Sequence, residues 1–317
     1  MYNIYKSHEQ GPLEKLSLQT LQKGAWISVV APTPDEIEVI AETTKVEPDF
    51  LRAALDDEER SHTEVEDNAV MILTNVPVMR GQGSYDTLPL AIILTEENII
   101  TVCLEETPVL AEFNEQTARN FRTFKKTRFL FQILYKSATF YLRYLRQINK
   151  LSDEIELALR ETMQNEDILR LLELQKGLTY FSAALRADGA VLDKLMRLRS
   201  NTSVQPILKM YEEDEDLLED VIIENKQARE MVEMYSQILA QLAETFSSII
   251  SNNLNIVMKF LAAMTIILAI PTLISGLFGM NVPVPMAETP EAFMAICAFS
   301  IGIAVVSGYA LWRHNMF

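Results

Sequence analysis

The sequence predicts an α+β cytoplasmic domain followed by a long stalk helix and a two-helix membrane hairpin. Three observations indicate this fold class. Strand-like and helical segments alternate over the first hundred residues, no Gly or Pro lies between Pro206 and Pro271, and two apolar runs lie near the C-terminus. We expect four parts, namely an α/β domain at 1–127, an antiparallel helix pair at 128–205, the stalk at 206–255 and the hairpin at 256–317.

The α/β domain is predicted from short β-rich runs separated by turn residues. Residues 25–30 are rich in β-branched and aromatic side chains and stop before Pro32, as expected of a strand. Thr33 or Asp35 then caps a helix. A second short helix is predicted at 48–55, and three more strands at 69–76, 88–94 and 98–104.

Helical periodicity dominates after Pro108. Apolar residues recur at helical spacing over 129–162 and again over 168–198, which predicts two helices packed against each other. The segment between Pro206 and Pro271 would extend roughly 95 Å as one helix. A helix of this length cannot bury its apolar side alone, so it needs partners from its own chain or from other copies.

The hairpin has predicted spans at about 256–278 and 292–312. Each is long enough, at about 1.5 Å rise per residue, to cross a hydrocarbon core of roughly 30 Å. The connecting loop contains no Lys or Arg, whereas Lys259 and Arg313 lie at the other ends of the spans. The positive-inside rule therefore places the loop outside and both termini in the cytoplasm, in a multi-pass protein of the plasma or inner cell membrane.

Composition excludes several classes of function. A net charge of −16 argues against a nucleic-acid partner, because phosphate binding needs a basic surface. Cys103 and Cys297 lack metal-ligand spacing and are interpreted as reduced, buried thiols. The three histidines are scattered, which argues against zinc, and no nucleophile-and-base arrangement appears. We therefore expect that the protein is not an enzyme.

The tripeptide Gly279-Met280-Asn281, a GMN motif, follows the first predicted span. One interpretation is an ordinary helix end, in which Gly279 breaks the helix and Asn281 caps it. The functional interpretation is a ring of Asn281 carboxamides at a pore mouth. A carboxamide oxygen accepts hydrogen bonds from the waters around a cation, which suits Mg²⁺ because Mg²⁺ dehydrates reluctantly.

Polar and small residues of the first span share one predicted helix face with this motif. Such residues are also common where membrane helices pack together, so Thr265 and Thr272 alone decide little. Asn255 at one end and Asn281 at the other favour a pore lining. Counting back from Asn281, the face holds Gly276, Thr272, Ala269, Thr265, Leu261 or Ala262, Met258 and Asn255.

An acidic run at the start of the stalk is the third candidate site. It comprises residues 212–216 together with Glu219 and Asp220. One interpretation is a solvated face, since acids are favourable near a helix N-terminus. The other is a divalent-sensing surface between copies, in which carboxylates repel without metal and are bridged when metal binds.

These features together resemble the CorA family of divalent-cation (Mg²⁺) channels and transporters, over nearly the whole chain. The resemblance rests on the strand at Trp26, the paired strands from Leu90 to Cys103, the polar segment 251–255 before Met258, and the GMN motif. It implies a funnel-shaped homopentamer in the lipid bilayer, whose first spans line a magnesium-transport pore. It also implies Mg²⁺ influx gated by intracellular Mg²⁺ bound between protomers, so that Mg²⁺ is both transported and regulatory.

The resemblance also implies roles for individual residues. Asn281 would select the hydrated ion, Asn255 would form an inner polar ring, and Asp220 would sense metal on the stalk. Relatives often place acids where this chain has Ala53, which leaves Asp220 without its expected partner, although residues 56–58 are acidic. The candidate metal-contacting residues are Gly279, Met280, Asn281, Asn255, Thr272, Asp220 and Asp216.

Two other functions remain open from the sequence. The ZntB branch, which carries the same tripeptide, suggests a proton-coupled Zn²⁺ transporter, and Co²⁺ or Ni²⁺ are further candidate substrates. A different class is a membrane-anchored interaction protein whose hairpin serves only as an anchor.

Overall fold

The computed structural model describes residues 1–9, 11–66, 68–162, 164–199, 201, 204–280 and 291–314. The chain divides into two compact units, Met1–Leu242 and Ala243–Phe317. The boundary between them falls within the longest helix.

The first unit contains a seven-stranded sheet. Its order is β2-β1-β3-β7-β6-β5-β4, and only the β3–β7 pair is parallel. The strands are β1 Tyr2–Lys6, β2 Glu14–Leu16, β3 Trp26–Val30, β4 His62–Val65, β5 Ala69–Gly81, β6 Ser84–Thr95 and β7 Ile99–Cys103.

The four predicted strands are confirmed, and three further strands were not predicted. Strands β1, β2 and β4 are short, and the buried residues among them are only Ile4 and Thr63. Strand β5 continues through Pro77, beyond its predicted end at residue 76, and β6 begins at Ser84, before its predicted start at residue 88. Pro77 of β5 lies beyond the residues that pair with β4, and Pro89 of β6 lies beyond the residues that pair with β7. At each proline one edge of the strand therefore has no neighbour, so no N–H donor is needed there.

One face of the sheet is covered by two short helices, α1 (Pro34–Thr44) and α2 (Pro48–Arg52). Of the two predicted caps, Thr33 and Asp35, it is Thr33 that caps α1. Its hydroxyl accepts a hydrogen bond from the Glu36 N–H at 3.3 Å, while the Glu36 carboxylate accepts one from the Thr33 N–H at 3.0 Å. This reciprocal pair satisfies two donors that a helix start otherwise leaves unpaired.

The other face is covered by α3 (Pro108–Ala111), α4 (Lys126–Thr162) and α5 (Asn165–Leu198). The two long helices pack on each other, with the rings of Tyr141 and Phe181 5.0 Å apart. Near the start of α4, the Trp26 ring of β3 meets Phe113, Phe121 and Phe129 edge-on, and its indole N–H donates to the Thr101 hydroxyl at 2.9 Å.

The predicted unbroken helix is confirmed as α6, Glu212–Phe278, and a last helix, α7, covers Ala292–Arg313. Helix α6 starts later than Pro206, because residues 204–207 form turns. In the first unit its buried side includes Leu218, Val221, Ala228 and Val232. In the described part of the chain, α6 and α7 each contain a segment that is long and apolar enough to cross a membrane.

The Trp26 cluster generates a stability prediction. Trp26→Phe removes the indole N–H, leaves the buried Thr101 hydroxyl without its donor and opens a gap among the phenylalanines. We expect the free energy of unfolding to fall by about 2 kcal/mol. Thermal unfolding of the detergent-solubilised protein, followed by circular dichroism, measures this. Trp312→Phe, at a residue that is 64% exposed, is the control and should change little. Equal melting temperatures for Trp26→Phe and the parent would contradict the prediction.

Candidate cation pathway and metal-binding residues

The described part of the GMN motif continues the geometry of α6. The Gly279 N–H donates to the Ser275 carbonyl at 2.9 Å, and the Met280 N–H contacts the Leu277 carbonyl at 3.5 Å. The described glycines with positive φ are Gly11, Gly24 and Gly83, so Gly279 does not adopt the left-handed conformation of a glycine C-cap. Asn281 lies outside the described residues, and its selectivity role stays a prediction.

The predicted pore face is exposed within the single chain. Asn255, Met258, Thr265, Thr272 and Gly276 are all exposed. A Cβ added at Gly276 would meet no atom within 4 Å, so this face is free of contact with its own chain there. It therefore has room for another copy of the helix, for lipid or for an aqueous lumen.

The opposite side of the same segment packs inside the second unit. Ala263 is fully buried, and Ile267, Ile270 and Ile274 are partly buried. Ile267 approaches Gly308 of α7, where an added Cβ would lie 3.5 Å from its side chain. Because successive helix residues are rotated by about 100°, this side points away from Thr265 and Thr272. The small and polar face is therefore not the side of α6 that contacts α7 in the described residues, and both packing against other copies and lining of a pore stay predictions.

The threonine hydroxyls on the exposed face are used within the helix. Thr265 donates to the Leu261 carbonyl at 2.7 Å, and Thr272 donates to the Leu268 carbonyl at 2.9 Å. These bonds remove the cost of a bare donor in an apolar environment. Each hydroxyl oxygen keeps its lone pairs, so it still accepts a hydrogen bond from water.

The acidic run at the start of α6 separates into two groups. The first group is held by arginines of the preceding helices. Arg128 lies 3.3 Å from the Glu213 carboxylate and 3.6 Å from that of Asp214, while Arg199 lies 2.7 Å from that of Glu215. Asp214 is also buried and accepts a hydrogen bond from the Tyr211 N–H at 3.1 Å. These carboxylates secure the start of the helix.

The second group comprises Glu212, Asp216, Glu219 and Asp220, all exposed. No described side chain forms an ion pair with them. Their spacing of four, three and one residues places them on one face of α6, away from its buried side. The two predicted sensing residues, Asp216 and Asp220, therefore lie on a face that no described basic side chain of the same protomer compensates.

The segment around Ala53 offers acids close to the expected position. Ala53 is half-buried in a 3-10 turn of residues 53–55 that follows α2. The exposed Asp56, Asp57 and Glu58 come next, and the Asp56 carboxylate accepts a hydrogen bond from the Glu58 N–H at 3.0 Å. Asp57 and Glu58 also line a surface cleft with α5.

The cysteines and histidines form no metal cluster in the described part of the chain, where no group of three or more potential ligands occurs. Burial raises the pKa of the Cys103 thiol to about 12. Cys103 is thus the buried, protonated thiol that the sequence predicts, while Cys297 is half-buried in α7.

Sequence reasoning missed the residues that compensate or bury charge. The positions of Arg128 and Arg199 give no sequence signal, because their pairing with α6 depends on how the helices pack. Asp188 does have a signal. It falls on the apolar face of α5, in the series Leu178, Phe181, Leu185, Asp188, Leu192 and Leu195, all of them buried.

The family model described as CorA-like Mg²⁺ transporter protein matches residues 22–313, which is most of the chain. The chain belongs to this family. As a member of a family of cation transporters with two long apolar helices, it is a divalent-cation transporter and a membrane protein, and it is not an enzyme.

Individual relatives agree with the family assignment. The cobalt/magnesium transport protein CorA of Methanocaldococcus jannaschii is 24% identical over 298 residues, covering 91% of this chain and 90% of the relative. The complete structure of the CorA magnesium transporter from the same organism matches with a TM-score of 0.82 at 22% identity, over 98% of this chain and 96% of that one. The CorA fold is therefore confirmed.

A third match is to the structure of an isolated cytoplasmic domain of another protein. The crystal structure of the ZntB cytoplasmic domain from Vibrio parahaemolyticus matches with a TM-score of 0.61 at 15% identity, over 79% of this chain and 98% of that one. At this identity the likeness shows a shared fold and does not separate magnesium from zinc transport.

The two groups of carboxylates should differ in their effect on stability. Asp214→Ala removes a buried cap and a partner of Arg128, so we expect it to lower the free energy of unfolding by about 1–2 kcal/mol. Asp216→Ala at the exposed face should change it by less than about 0.5 kcal/mol. Thermal unfolding in metal-free buffer with a chelator measures both, because it removes any contribution from bound cations. Equal losses in the two variants would contradict the division.

Proposed function

We propose that the protein is a Mg²⁺ influx channel of the plasma or inner cell membrane that selects the hydrated ion through a ring of Asn281. The observation that supports this most is the exposed polar face of α6, on the side of the helix opposite α7. The names of its relatives support Mg²⁺ and Co²⁺ as transported ions. Both termini lie in the cytoplasm, in keeping with Lys259 and Arg313 at the inner ends of the spans.

A pore requires several copies of this chain. Two spans cannot enclose an aqueous passage, whereas a ring of α6 helices encloses one if α7 lies outside it. The packing of Ala263 and Ile267 toward α7 supports this arrangement, since it leaves Thr265, Thr272 and Gly276 facing away from α7. We propose a homopentamer, as the family resemblance implies.

Selection would act on the ion together with its water shell. Mg²⁺ holds its waters in a tight octahedron and releases them reluctantly. Carboxamide oxygens at Asn281, followed by hydroxyl oxygens at Thr272 and carboxamides at Asn255, would accept hydrogen bonds from those waters. The membrane potential supplies about 2.3 kcal/mol per unit charge per 100 mV, so a divalent ion gains about twice that amount on moving inward.

Asn281→Ala should abolish Mg²⁺ uptake into proteoliposomes, because methyl groups cannot accept hydrogen bonds from the hydration shell. Asn281→Asp should keep uptake but lose discrimination among divalent ions, since a ring of charges attracts all of them. Asn253→Ala, on the other side of α6, is the control and should transport normally. Size-exclusion chromatography checks that each variant keeps the oligomeric state of the parent. Uptake by Asn281→Ala at the parental rate would refute the selectivity role.

Regulation is proposed to reside at the uncompensated face of α6. When copies assemble, Glu212, Asp216, Glu219 and Asp220 would bring like charges toward neighbouring protomers. The resulting repulsion depends strongly on the local dielectric constant, and a bound divalent ion offsets it. Intracellular Mg²⁺ would then hold the assembly closed, and its loss would release the pore. The acids at 56–58 would supply the partner that Ala53 does not.

Replacing Asp216 and Asp220 together by Ala should make influx less sensitive to internal Mg²⁺. The measurement is Mg²⁺ uptake at a series of internal Mg²⁺ concentrations, from which the half-inhibiting concentration is obtained. The matched control replaces Asp153 and Asp193 by Ala, which removes the same charge from exposed positions of α4 and α5. If the Asp216/Asp220 variant and the control are inhibited at the same concentration as the parent, the face is only solvated.

A second candidate is proton-coupled Zn²⁺ transport, which the match to the ZntB cytoplasmic domain supports at the level of fold. The two functions differ in their response to a pH gradient. Uptake of Zn²⁺ and Mg²⁺, with Co²⁺ and Ni²⁺ as further substrates, should be compared in the same liposomes with and without a protonophore. A passive Mg²⁺ channel is insensitive to loss of the proton gradient at fixed membrane potential, whereas a coupled transporter slows.

A further inference from the structure

The cytoplasmic unit contains a buried carboxylate that the transport function does not use. Asp188 of α5 lies in the core between the sheet and the helices, 6% exposed. Its Oδ1 accepts hydrogen bonds from the Thr74 hydroxyl at 2.9 Å and from the Asn75 N–H at 3.0 Å. Both donors are uncharged, and no described basic group forms an ion pair with Asp188.

A small, partly enclosed cavity adjoins this carboxylate. Its volume is about 10 Å³, which is at the lower limit for one water molecule. Thr74 of β5, Ser137 and Tyr141 of α4, Asp188 of α5 and Asn225 of α6 supply its polar lining. Aliphatic side chains line the rest of the cavity. Four elements of the first unit, β5, α4, α5 and α6, therefore meet at this point.

The Ser137 hydroxyl is a buried polar group in the lining of this cavity that needs a hydrogen-bond partner. Ser137 is 4% exposed, and no described residue forms a hydrogen bond with its Oγ. An unpaired buried hydroxyl costs about 1–3 kcal/mol. Tyr141, one helical turn further along α4, donates its hydroxyl to the Asn75 carbonyl at 2.8 Å, and no hydrogen bond joins it to Ser137.

Asn225 of α6 lines the cavity and lies close to Gly189, the residue that follows Asp188 in α5. A Cβ added at Gly189 would lie 3.4 Å from the Asn225 carboxamide oxygen and 3.7 Å from the guanidinium of Arg229. Arg229 is therefore the charged group that α6 presents on this side of α5. Asn225 itself is 6% exposed, so its carboxamide also needs partners inside the protein.

We propose that this cavity binds one water molecule, which joins Ser137, Asp188 and Asn225 and thereby fastens α6 to the core of the cytoplasmic unit. The water accepts a hydrogen bond from the Ser137 hydroxyl and donates to the oxygens of Asp188 and Asn225. Three partners match the usual number for a buried water. A dehydrated Mg²⁺ would need six ligands in a near-octahedral arrangement, which one carboxylate in a space the size of one water molecule cannot provide.

The charge on Asp188 makes this connection dependent on pH. Burial raises the pKa of Asp188 to about 6 from 3.8, against the lowering effect of hydrogen bonds from Asn75, Ser61 and Thr74. The facing titratable group on α4 is Tyr141, whose pKa is raised by burial and then by Asp188. The stability contributed by protonated Asp188 is present in full below pH 3.8 and is lost as the pH rises through about 6.

Any opening that hydrates Asp188 is therefore favoured at higher pH. The two pKa values above imply that acidification from about pH 7.5 to about pH 5 suppresses such an opening about tenfold. The affected part of α6 is the segment around Val221 and Asn225, within the first unit. This inference concerns that unit alone and does not depend on which ion is transported.

The test is amide hydrogen exchange of the full-length protein in detergent, corrected for the intrinsic effect of pH. In the parent, the α6 peptide containing residues 218–228 should open about tenfold less often at about pH 5 than at about pH 7.5. Asp188→Asn, which keeps the shape but cannot ionise, should abolish this dependence. Asp193→Asn, an exposed acid on the same helix, is the control and should behave as the parent. An Asp188→Asn variant with the parental pH dependence would overturn the proposal.

A second variant keeps the proposal testable if Asp188→Asn does not fold. Ser137→Ala removes one partner of the water and leaves the charge, so opening of the same peptide should rise about fivefold at both pH values. A high-resolution crystal structure of the parent should show one density peak at hydrogen-bonding distance from Ser137 and Asp188. An empty cavity, or a peak with the roughly 2.0–2.1 Å ligand distances of bound Mg²⁺, would overturn the assignment of water.

Discussion

The structure depends on how the apolar surface of α6 is covered, and the answer changes along the helix. In the first unit one narrow side, including Leu218, Val221, Ala228 and Val232, is buried against the chain's own core. In the second unit large apolar side chains such as Leu268 and Leu273 are more than 60% exposed. Since a helix cannot leave such a surface in water, the second unit requires an apolar environment such as lipid. Membrane insertion follows from this single requirement.

The charges of the molecule follow the same separation between satisfied and unsatisfied surfaces. Arg128 and Arg199 lie close to the carboxylates of Glu213, Asp214 and Glu215, so those acids stabilise the start of α6. Asp216 and Asp220 are exposed, and no described side chain forms an ion pair with them. A short run of five consecutive acids thus contains both structural and regulatory candidates. Their difference depends on which arginines of the preceding segments lie close to each carboxylate and not on composition.

Much of this fold could be predicted from the sequence, because long periodic helices and apolar spans leave strong local signals. The strand at Trp26, the helix cap at Thr33 and the unbroken α6 are examples. Strands β1, β2 and β4 could not be predicted, because pairing with longer neighbours forms them and their own residues are largely polar. In the candidate site, the shared face of Asn255, Thr265 and Thr272 followed from helical spacing. The pairing of Asp214 with Arg128 joins residues far apart in sequence, so no local pattern could reveal it.

The burial of Cys103 has a practical consequence for the chemistry of this protein. Nucleophilic attack by cysteine requires the thiolate, and a pKa of about 12 leaves a negligible thiolate fraction at neutral pH. Maleimide and iodoacetamide reagents should therefore leave this position unmodified while the chain is folded. A cysteine introduced on the exposed acidic side of α6 would then react far faster than Cys103. A fluorescent or spin label attached there would therefore report on the first unit without interference from Cys103.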